Sequence, residues 1–393
     1  MGNIKFIIVK DCMAKESLPV YGNKFFKTPN IDALAKKGTV FNRHYTAGGS
    51  TNMSLSAMFT GRNCHEFTSR KTYTPVKPNE FKSIFDFMQE KGYECHIIWD
   101  IDWTRYIKFI EEIGDQTLTV VHSLDLSQPC GAHKTSEQLS SLKRDDQLLE
   151  ATLKQIYDAI DSIDYSKDVF VYLHLPHVLK GKISYEDDIE VFDDIVGYVR
   201  NKVGDENIYL TTDHGHMNMH KNIVGYGFDL YEPIVCIPLI TPRFEGKEEI
   251  NQVTSHTQFM DLILHNRLND LEYAICDTAY FAQENRKLTV ISDRYKYIYS
   301  KKTNTEELYD LKYDPLENYN ILVNSYYDKD RHSYVRYDEL HFYPYRDEAL
   351  KEYEKLKAHF KTIWKCGTFS EETYAKVRVR AVLIRDKLRS MFK

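Results

Sequence analysis

The stretch Phe6-Ile-Ile-Val-Lys-Asp11 is an apolar run that ends at an acid. Residues 4–10 have the length and composition of a strand that is buried on both faces. The stretch Asn207-Ile-Tyr-Leu-Thr-Thr-Asp213 ends in the same way, and residues 168–173 form another short apolar run. Short continuous apolar runs are typical of parallel strands, so the three stretches predict strands of one parallel sheet.

Segments with helical periodicity lie between these strands. They cover residues 30–38, 52–60, 80–91, 144–163 and 186–203. Strands that alternate with helices predict an α/β fold, here a doubly wound, mostly parallel sheet flanked by helices. Such sheets bind ligands at the carboxyl ends of their strands, where we expect Asp11, His174 and Asp213.

The pattern changes in the last third of the chain. Residues 288–299 alternate between apolar and polar side chains, and Glu307-Leu-Tyr-Asp-Leu311 follows a polar turn. This period of two predicts antiparallel hairpins. We therefore expect an α/β domain over 1–285, a smaller antiparallel β subdomain over 286–345 and a helical, basic tail over 346–393.

The composition of the chain bears on its binding partners and on its cellular compartment. The chain has 393 residues and a formal net charge of −6, so it carries no overall attraction for nucleic acid. Its seven cysteines form no closely spaced pairs, which favours reduced thiols over a disulfide framework. Neither a signal peptide nor an apolar run long enough to span a bilayer is visible. These features predict a cytoplasmic protein.

Residues 376–393 combine an apolar helical face with a basic one. Packing of the apolar face against the body of the protein or a second subunit, which would give a homo-oligomer, is the favoured interpretation. Peripheral contact with a membrane surface is the alternative.

The second informative stretch is His44-Tyr-Thr-Ala-Gly-Gly-Ser-Thr51, which leads into the helix predicted over 52–60. Thr51 is either a simple N-cap of this helix or a nucleophile, because a helix N-terminus also favours a developing anion. An acid at one strand end and Asp213-His214 at another would place a metal ion beside the hydroxyl. Each of these residues alone has an ordinary structural explanation, so the hypothesis depends on their combination.

Several further stretches occur in a fixed order from about residue 4 to residue 323. They are Thr28–Gly38, Ser56–Gly61, Thr212–Gly215, Leu230–Ile240, Asp293–Ile298 and Glu307–Asn318. Together they resemble the sulfatase branch of the alkaline phosphatase superfamily. Any one segment is weak, but the ordered set is specific, and it implies that family's fold and an ester-cleaving site.

The sequence departs from the sulfatase pattern at the nucleophile and at the positions of cationic side chains. Sulfatases carry Cys or Ser at the place of Thr51, which is matured to formylglycine, and threonine cannot undergo that oxidation. Leu55 stands at the place of the motif's arginine, and the run Ile98-Trp-Asp-Ile-Asp102, which has no lysine, stands where the family has Lys-Trp-His, so two cationic groups are absent. A threonine at this place resembles the phosphoglycerol and phosphoethanolamine transferases, in which it forms a phospho-threonine enzyme.

The same resemblance implies a set of functional residues. The metal ligands would be Asp11, Thr51, Asp213 and His214, whereas Cys12 stands where many relatives have a second acid. One divalent ion is expected, with Mn²⁺ favoured and Zn²⁺ or Ca²⁺ as alternatives. His177 would contact the phosphoryl group or assist the leaving group, and further substrate contacts would come from His174, His220, Tyr226 and His256.

These inferences predict a metal-dependent phosphotransferase or phosphodiesterase that acts through a covalent phospho-threonine at Thr51. The expected substrate is a phosphoglycerol- or phosphoethanolamine-type ester, with a glycan or a small alcohol as acceptor. A sulfatase is the first alternative. A catalytically inactive, glycan-binding protein on the same fold is the second, and failure to bind a divalent ion would favour it.

Overall fold

The computed structural model describes residues 2–67, 82–101, 119–127, 145–181, 185–218, 221, 224–278, 285–323, 325–328, 333–336 and 343–364. Two sequence predictions, the substrate contact of His220 and the basic helix over 376–393, lie outside these residues. Within them, no helix is both long enough and apolar enough to cross a membrane.

Nine strands of the described chain form the main sheet. In chain order they are β1 (Ile4–Lys10), β2 (Thr39–Tyr45), β3 (Glu94–Asp100), β4 (Thr119–Leu124), β5 (Val169–Leu175), β6 (Ile208–Thr211), β9 (Cys236–Thr241), β10 (Glu249–Ile250) and β11 (Thr254–Ser255). Their spatial order is β10-β2-β9-β6-β1-β5-β3-β4, and β11 also pairs with β2. Strand β1 pairs in parallel with β5 and β6, whereas β9 runs antiparallel to β2 and β6. The predicted mostly parallel sheet is therefore confirmed.

Helices cover both faces of this sheet. They are α1 (Pro29–Lys37), α2 (Thr51–Thr60), α3 (Cys64–Phe67), α4 (Ile84–Glu90), α5 (Asp146–Asp161), α6 (Tyr185–Val203), α7 (Glu232–Val235) and α8 (Phe259–His265). Phe6 and Ile8 of β1 pack in a core with α1, α5 and α6, whereas Ile7 and Val9 pack in a second core with α2, α4 and α8. Successive side chains of a strand point to opposite faces, so an entirely apolar strand lies between two helical layers.

A smaller antiparallel sheet follows the main one. It contains β12 (Ala274–Asp277), β13 (Lys287–Ile291), β14 (Tyr295–Ser300) and β15 (Thr305–Asp310), and helix α9 (Arg346–Ile363) packs against it. Two short hairpins complete the described strands, β7 (Met217–Asn218) with β8 (Val224–Gly225) and β16 (Ser325–Asp328) with β17 (Ser333–Arg336). Strand β12 precedes residue 285, so the smaller sheet begins earlier than the boundary predicted from the sequence.

A buried ion pair lies directly before the predicted metal ligand of β1. The Lys10 ammonium is 2.5 Å from Asp188 Oδ2, and both side chains are fully buried. The ammonium also donates to the carbonyl oxygens of Pro176 and His177. Lys10 therefore joins β1 to helix α6 and to the loop after β5.

The substitution Lys10→Met is expected to lower the free energy of unfolding by about 3–5 kcal/mol, because it leaves the Asp188 carboxylate buried without its cation. Urea denaturation monitored by circular dichroism measures this change. The matched control is Lys154→Met, which removes an exposed pair with Asp158 on α5 and should change stability by less than about 0.5 kcal/mol. A loss below about 1 kcal/mol for Lys10→Met would contradict the prediction.

Candidate active site

The two predicted metal-binding acids lie side by side because of strand register. Val9 of β1 is the partner of Thr211 of β6, so the chain beyond each strand brings Asp11 next to Asp213. The Thr212 hydroxyl donates to the Lys10 carbonyl at 2.5 Å and accepts from the Met13 amide at 3.0 Å. These bonds hold the two strand ends together at the carboxyl edge of the sheet.

His214 brings an imidazole nitrogen to the same point. Its Nε2 atom lies 3.3 Å from Asp213 Oδ2, 3.9 Å from Asp11 Oδ1 and 3.2 Å from Thr51 Oγ1. Its Nδ1 atom lies 3.0 Å from the carbonyl oxygen of Gly215. A proton on Nδ1 that is donated to this carbonyl leaves the Nε2 lone pair directed at the two acids and the hydroxyl.

A glycine is required after His214 for steric reasons. A Cβ atom on Gly215 would lie 2.0 Å from the carbonyl oxygen of Pro233 in helix α7. The Gly215 amide also donates to the carbonyl of Ile234 at 2.8 Å. The close approach of these two backbones therefore fixes the loop that carries His214.

Thr51 is the first residue of helix α2, and the loop before it is held from two sides. A Cβ atom on Gly48 would lie 2.3 Å from the Met53 Cβ, so the loop folds tightly onto its own helix. Asp277, the last residue of β12, donates its amide to the Ala47 carbonyl at 3.2 Å, and its carbonyl accepts from the Gly49 amide at 3.1 Å. The smaller sheet thus contacts the loop that positions Thr51.

The Asp277 side chain has its own anchor. The Arg286 guanidinium binds its carboxylate with Nη2 at 2.5 Å from Oδ2, and both side chains are buried. This pair joins the end of β12 to the start of β13.

A hydrogen-bonded network lies beneath Thr51. The Ser54 hydroxyl donates to the Asp213 carbonyl at 2.5 Å, and it lies 2.9 Å from both Thr46 Oγ1 and His256 Nδ1. Sequence analysis did not identify Ser54, although a residue three positions after Thr51 lies on the same helix face. The network connects α2 to the strand end that carries Asp213 and His214.

His256, which the sequence predicts to contact substrate, is part of this network. The residue is fully buried, and its imidazole contacts Ser54 and the ring of His44. These contacts connect His256 to α2 and to β2.

His174 is also deeply buried, with 1% of its surface exposed, and its Nδ1 atom lies 2.7 Å from the Tyr172 hydroxyl. Burial lowers the pKa of His174 to about 3, an effect that the Asp213 charge opposes. The ring is therefore neutral at pH 7 and borders the metal-binding acids. Its predicted contact with substrate is not supported by this burial.

His177 lies at the edge of the site and is part of a row of rings. Its imidazole is 5.2 Å from the His216 ring, which is 6.2 Å from the Tyr226 ring, and Tyr226 stacks on His214 at 4.5 Å. Burial and the Lys10 charge lower the pKa of His177 to about 3. A neutral His177 can donate an N–H hydrogen bond to an anion but has no imidazolium proton to give.

Two of these rings, those of His216 and Tyr226, have positions that the sequence did not predict. His216 was not among the predicted site residues, yet it lies between His177 and Tyr226. Tyr226 departs from the family pattern, and it covers the imidazole of a predicted metal ligand. Their proximity depends on the β7–β8 hairpin, which local sequence patterns did not reveal.

The two positions at which sulfatases carry cations have other roles here. Leu55 is fully buried in the apolar core beneath α2. Ile98, at the place of the lysine, is fully buried in the other apolar core. Neither residue brings positive charge to the site.

Burial and charge repulsion define the electrostatics of the two acids. Burial, reinforced by the Asp213 charge, raises the pKa of Asp11 to about 7. Burial opposes ionisation of Asp213 too, but the imidazoles of His214 and His174 hold the pKa of Asp213 below its usual range. Two adjacent buried carboxylates favour a positive ion between them.

Comparison with known proteins identifies the class of this site. The family model described as Sulfatase matches residues 3–222, which is more than half of the chain. The chain therefore belongs to the sulfatase family, whose members hydrolyse sulfate or phosphate esters.

The individual proteins that resemble this chain share little sequence identity with it. N-acetylgalactosamine-6-sulfatase of Rattus norvegicus is 29% identical over 107 residues, which cover 23% of this chain and 20% of that protein. A 2-O GAG sulfatase structure has a TM-score of 0.65 at 15% identity and covers 92% of both chains. The phosphonate monoester hydrolase of Agrobacterium radiobacter has a TM-score of 0.61 at 14% identity, covering 93% of this chain and 96% of that one. The structural matches show the shared fold alone.

Sulfatase-family enzymes typically bind a divalent metal, and the residues present fit such an ion. The predicted ligands Asp11, Thr51, Asp213 and His214 lie together around His214 Nε2. Ligand atoms of Asp11, Cys12 and His214 also lie within 4.8 Å of one another. Carboxylate, hydroxyl and imidazole donors around two buried negative charges can hold one divalent cation.

Proposed function

We propose that this protein is a metal-dependent phosphoric ester hydrolase or phosphotransferase in which Thr51 is the nucleophile. The observation that carries the proposal is the position of the Thr51 hydroxyl. It opens helix α2 and lies 3.2 Å from His214 Nε2, at the place where sulfatases need an oxidisable residue. A threonine at this place supports direct attack on the ester phosphorus by the threonine hydroxyl.

The chain's own residues account for the steps of this reaction. Asp11, Asp213 and His214 would hold the ion, which would lower the pKa of the Thr51 hydroxyl and neutralise phosphoryl charge. The hydroxyl proton leaves to solvent, the Thr51 oxygen forms a bond to phosphorus, and the bond from phosphorus to the substrate's alcohol breaks. That alcohol takes a proton from water, and water or a second alcohol later displaces phosphorus from Thr51.

His177 has a narrower role in this proposal than the sequence suggested. Because its ring is neutral at pH 7, it would bind a phosphoryl oxygen through an N–H group and leave protonation of the departing alcohol to solvent. The α2 N-terminus provides further stabilisation of the developing negative charge.

The charge at the site favours a singly charged substrate. Leu55 and Ile98 replace two cationic groups of the sulfatase pattern, so a phosphodiester with one negative charge suits the site better than a doubly charged monoester. We propose a phosphoglycerol- or phosphoethanolamine-type ester with a glycan or small-alcohol acceptor. The similarity to a phosphonate monoester hydrolase supports phosphorus chemistry on this fold, and the similarity to an N-acetylgalactosamine-6-sulfatase supports a sugar-bearing substrate.

A sulfatase activity is the second candidate, favoured by the family match over residues 3–222. It requires sulfuryl transfer without formylglycine. The site as described favours the first candidate, because Thr51 cannot supply an aldehyde. A cytoplasmic location, a homo-oligomer and peripheral membrane contact by 376–393 remain predictions of the sequence.

Activity on an aryl phosphodiester should exceed activity on the corresponding aryl sulfate by at least about a hundredfold in kcat/KM, since the site stabilises a phosphoryl transition state. Release of the coloured phenol with Mn²⁺ or Zn²⁺ present measures both rates. A faster reaction with the aryl sulfate would replace this proposal with the sulfatase. No reaction with either ester by metal-loaded protein would instead support a binding protein.

A further inference from the structure

Cys12 occupies an unusual backbone conformation beside the metal-binding acids. Its φ angle is 60°, in the left-handed region that favours glycine. Its amide donates to Asp213 Oδ1 at 3.2 Å, so one metal-binding acid holds this turn in place. Backbone strain of this kind is found where a side chain has a functional position.

The conformation directs the thiol into the site. Cys12 is fully buried, and its Sγ atom lies 3.0 Å from Asp11 Oδ1. Ligand atoms of Asp11, Cys12 and His214 are all within 4.8 Å of one another. Sulfur, carboxylate oxygen and imidazole nitrogen therefore face the same small volume.

The spacing matches the coordination shell of a small cation. Tetrahedral zinc has bonds of about 2.0–2.3 Å, which places its ligand atoms roughly 3.3–3.8 Å apart. The distances from His214 Nε2 to Asp213 Oδ2 and Thr51 Oγ1, 3.3 and 3.2 Å, are close to this range. Cys12 Sγ lies at a similar separation, 3.0 Å, from Asp11 Oδ1.

We propose that Cys12 is a thiolate ligand of the metal and that it directs the site toward zinc-like ions and away from Ca²⁺ and Mg²⁺. Thiolates bind zinc and cobalt well, whereas calcium and magnesium select oxygen ligands. Binding forms one metal–sulfur bond and breaks the S–H bond, and the proton leaves to the buffer. This inference rests on the metal site of the proposed function, and it shifts the expected ion from Mn²⁺ to Zn²⁺.

Cobalt(II) titration of the metal-free, full-length chain tests the inference without any activity measurement. The wild type should develop the intense near-ultraviolet charge-transfer band of a thiolate–cobalt bond. Cys12→Ser should lose this band while keeping the weaker visible bands of bound cobalt, and its Kd for Zn²⁺ should rise at least about tenfold. Cys95→Ala, which removes a buried thiol at the start of β3, should keep the band.

The outcomes separate this inference from the proposed function. Cobalt bound to the wild type without the near-ultraviolet band would overturn thiolate ligation and leave the metal site in place. A wild type that binds no cobalt would overturn both. Cys12→Asp provides a further measure, because an oxygen ligand should raise affinity for Mn²⁺ relative to Zn²⁺, and circular dichroism establishes that each variant is folded.

Discussion

Thr51→Ala is expected to lower kcat on an aryl phosphodiester by at least about 10⁴-fold, since removal of a nucleophile abolishes the covalent route. Intact-protein mass spectrometry after rapid acid quenching should show a phosphoryl adduct on the wild type, and peptide mapping should place it on Thr51. The alanine variant should show no adduct. Thr51 is the first residue of α2, and its side chain is not part of the apolar core, so the fold should persist.

Thr51→Ser is the matched control because it keeps the hydroxyl. It should form an adduct and retain kcat within about tenfold of the wild type. An adduct on another residue, or unchanged turnover by Thr51→Ala, would reject Thr51 as the nucleophile.

Asp213→Asn should reduce metal affinity at least about a hundredfold and bring turnover close to background, because it removes a ligand charge from the centre of the site. The asparagine oxygen can still accept from the amides of Cys12 and His214, as Asp213 Oδ1 does at 3.2 and 2.9 Å. The backbone around the site is therefore preserved. Equilibrium dialysis with Zn²⁺ and Mn²⁺ followed by elemental analysis measures the loss.

Asp193→Asn provides a buried comparison away from the site. Asp193 accepts from the amides of Asn30 and Ile31 at the start of α1, at 3.1 and 2.8 Å. Its substitution should cost about 1–3 kcal/mol of stability and leave metal content unchanged. Equal metal loss in both variants would mean that Asp213 acts through stability rather than ligation.

The sheet and its acids were predictable because their signals are local. A short apolar run such as 4–10 indicates a strand that is buried on both faces of the sheet. A polar residue at the end of the run marks the edge of the sheet where ligands bind. The observed strand Ile4–Lys10 agrees with that run, and the parallel register of β1 and β6 then brings Asp11 and Asp213 together. The ordered family segments added Thr51 and His214.

Features that depend on contacts between distant segments were not predictable. One local signal was also missed: the capping box of Ser83 and Asp86 starts the helix predicted over 80–91 at Ile84. Periodicity cannot show that Tyr226 stacks on His214, since a hairpin sets that distance. Likewise, the Ala274–Asp277 run carries no local sign that it pairs with β13 and contacts the loop before Thr51.

The backbone bonds from Asp277 to Ala47 and Gly49 limit how this enzyme can be re-engineered. A truncation that removes the smaller sheet would take away the support of the nucleophile loop, even though every proposed catalytic side chain would remain. A chimera that borrows the sheet from a relative must also import Ala274–Asp277 and its Arg286 anchor. The minimal functional unit therefore extends across the border between the two sheets.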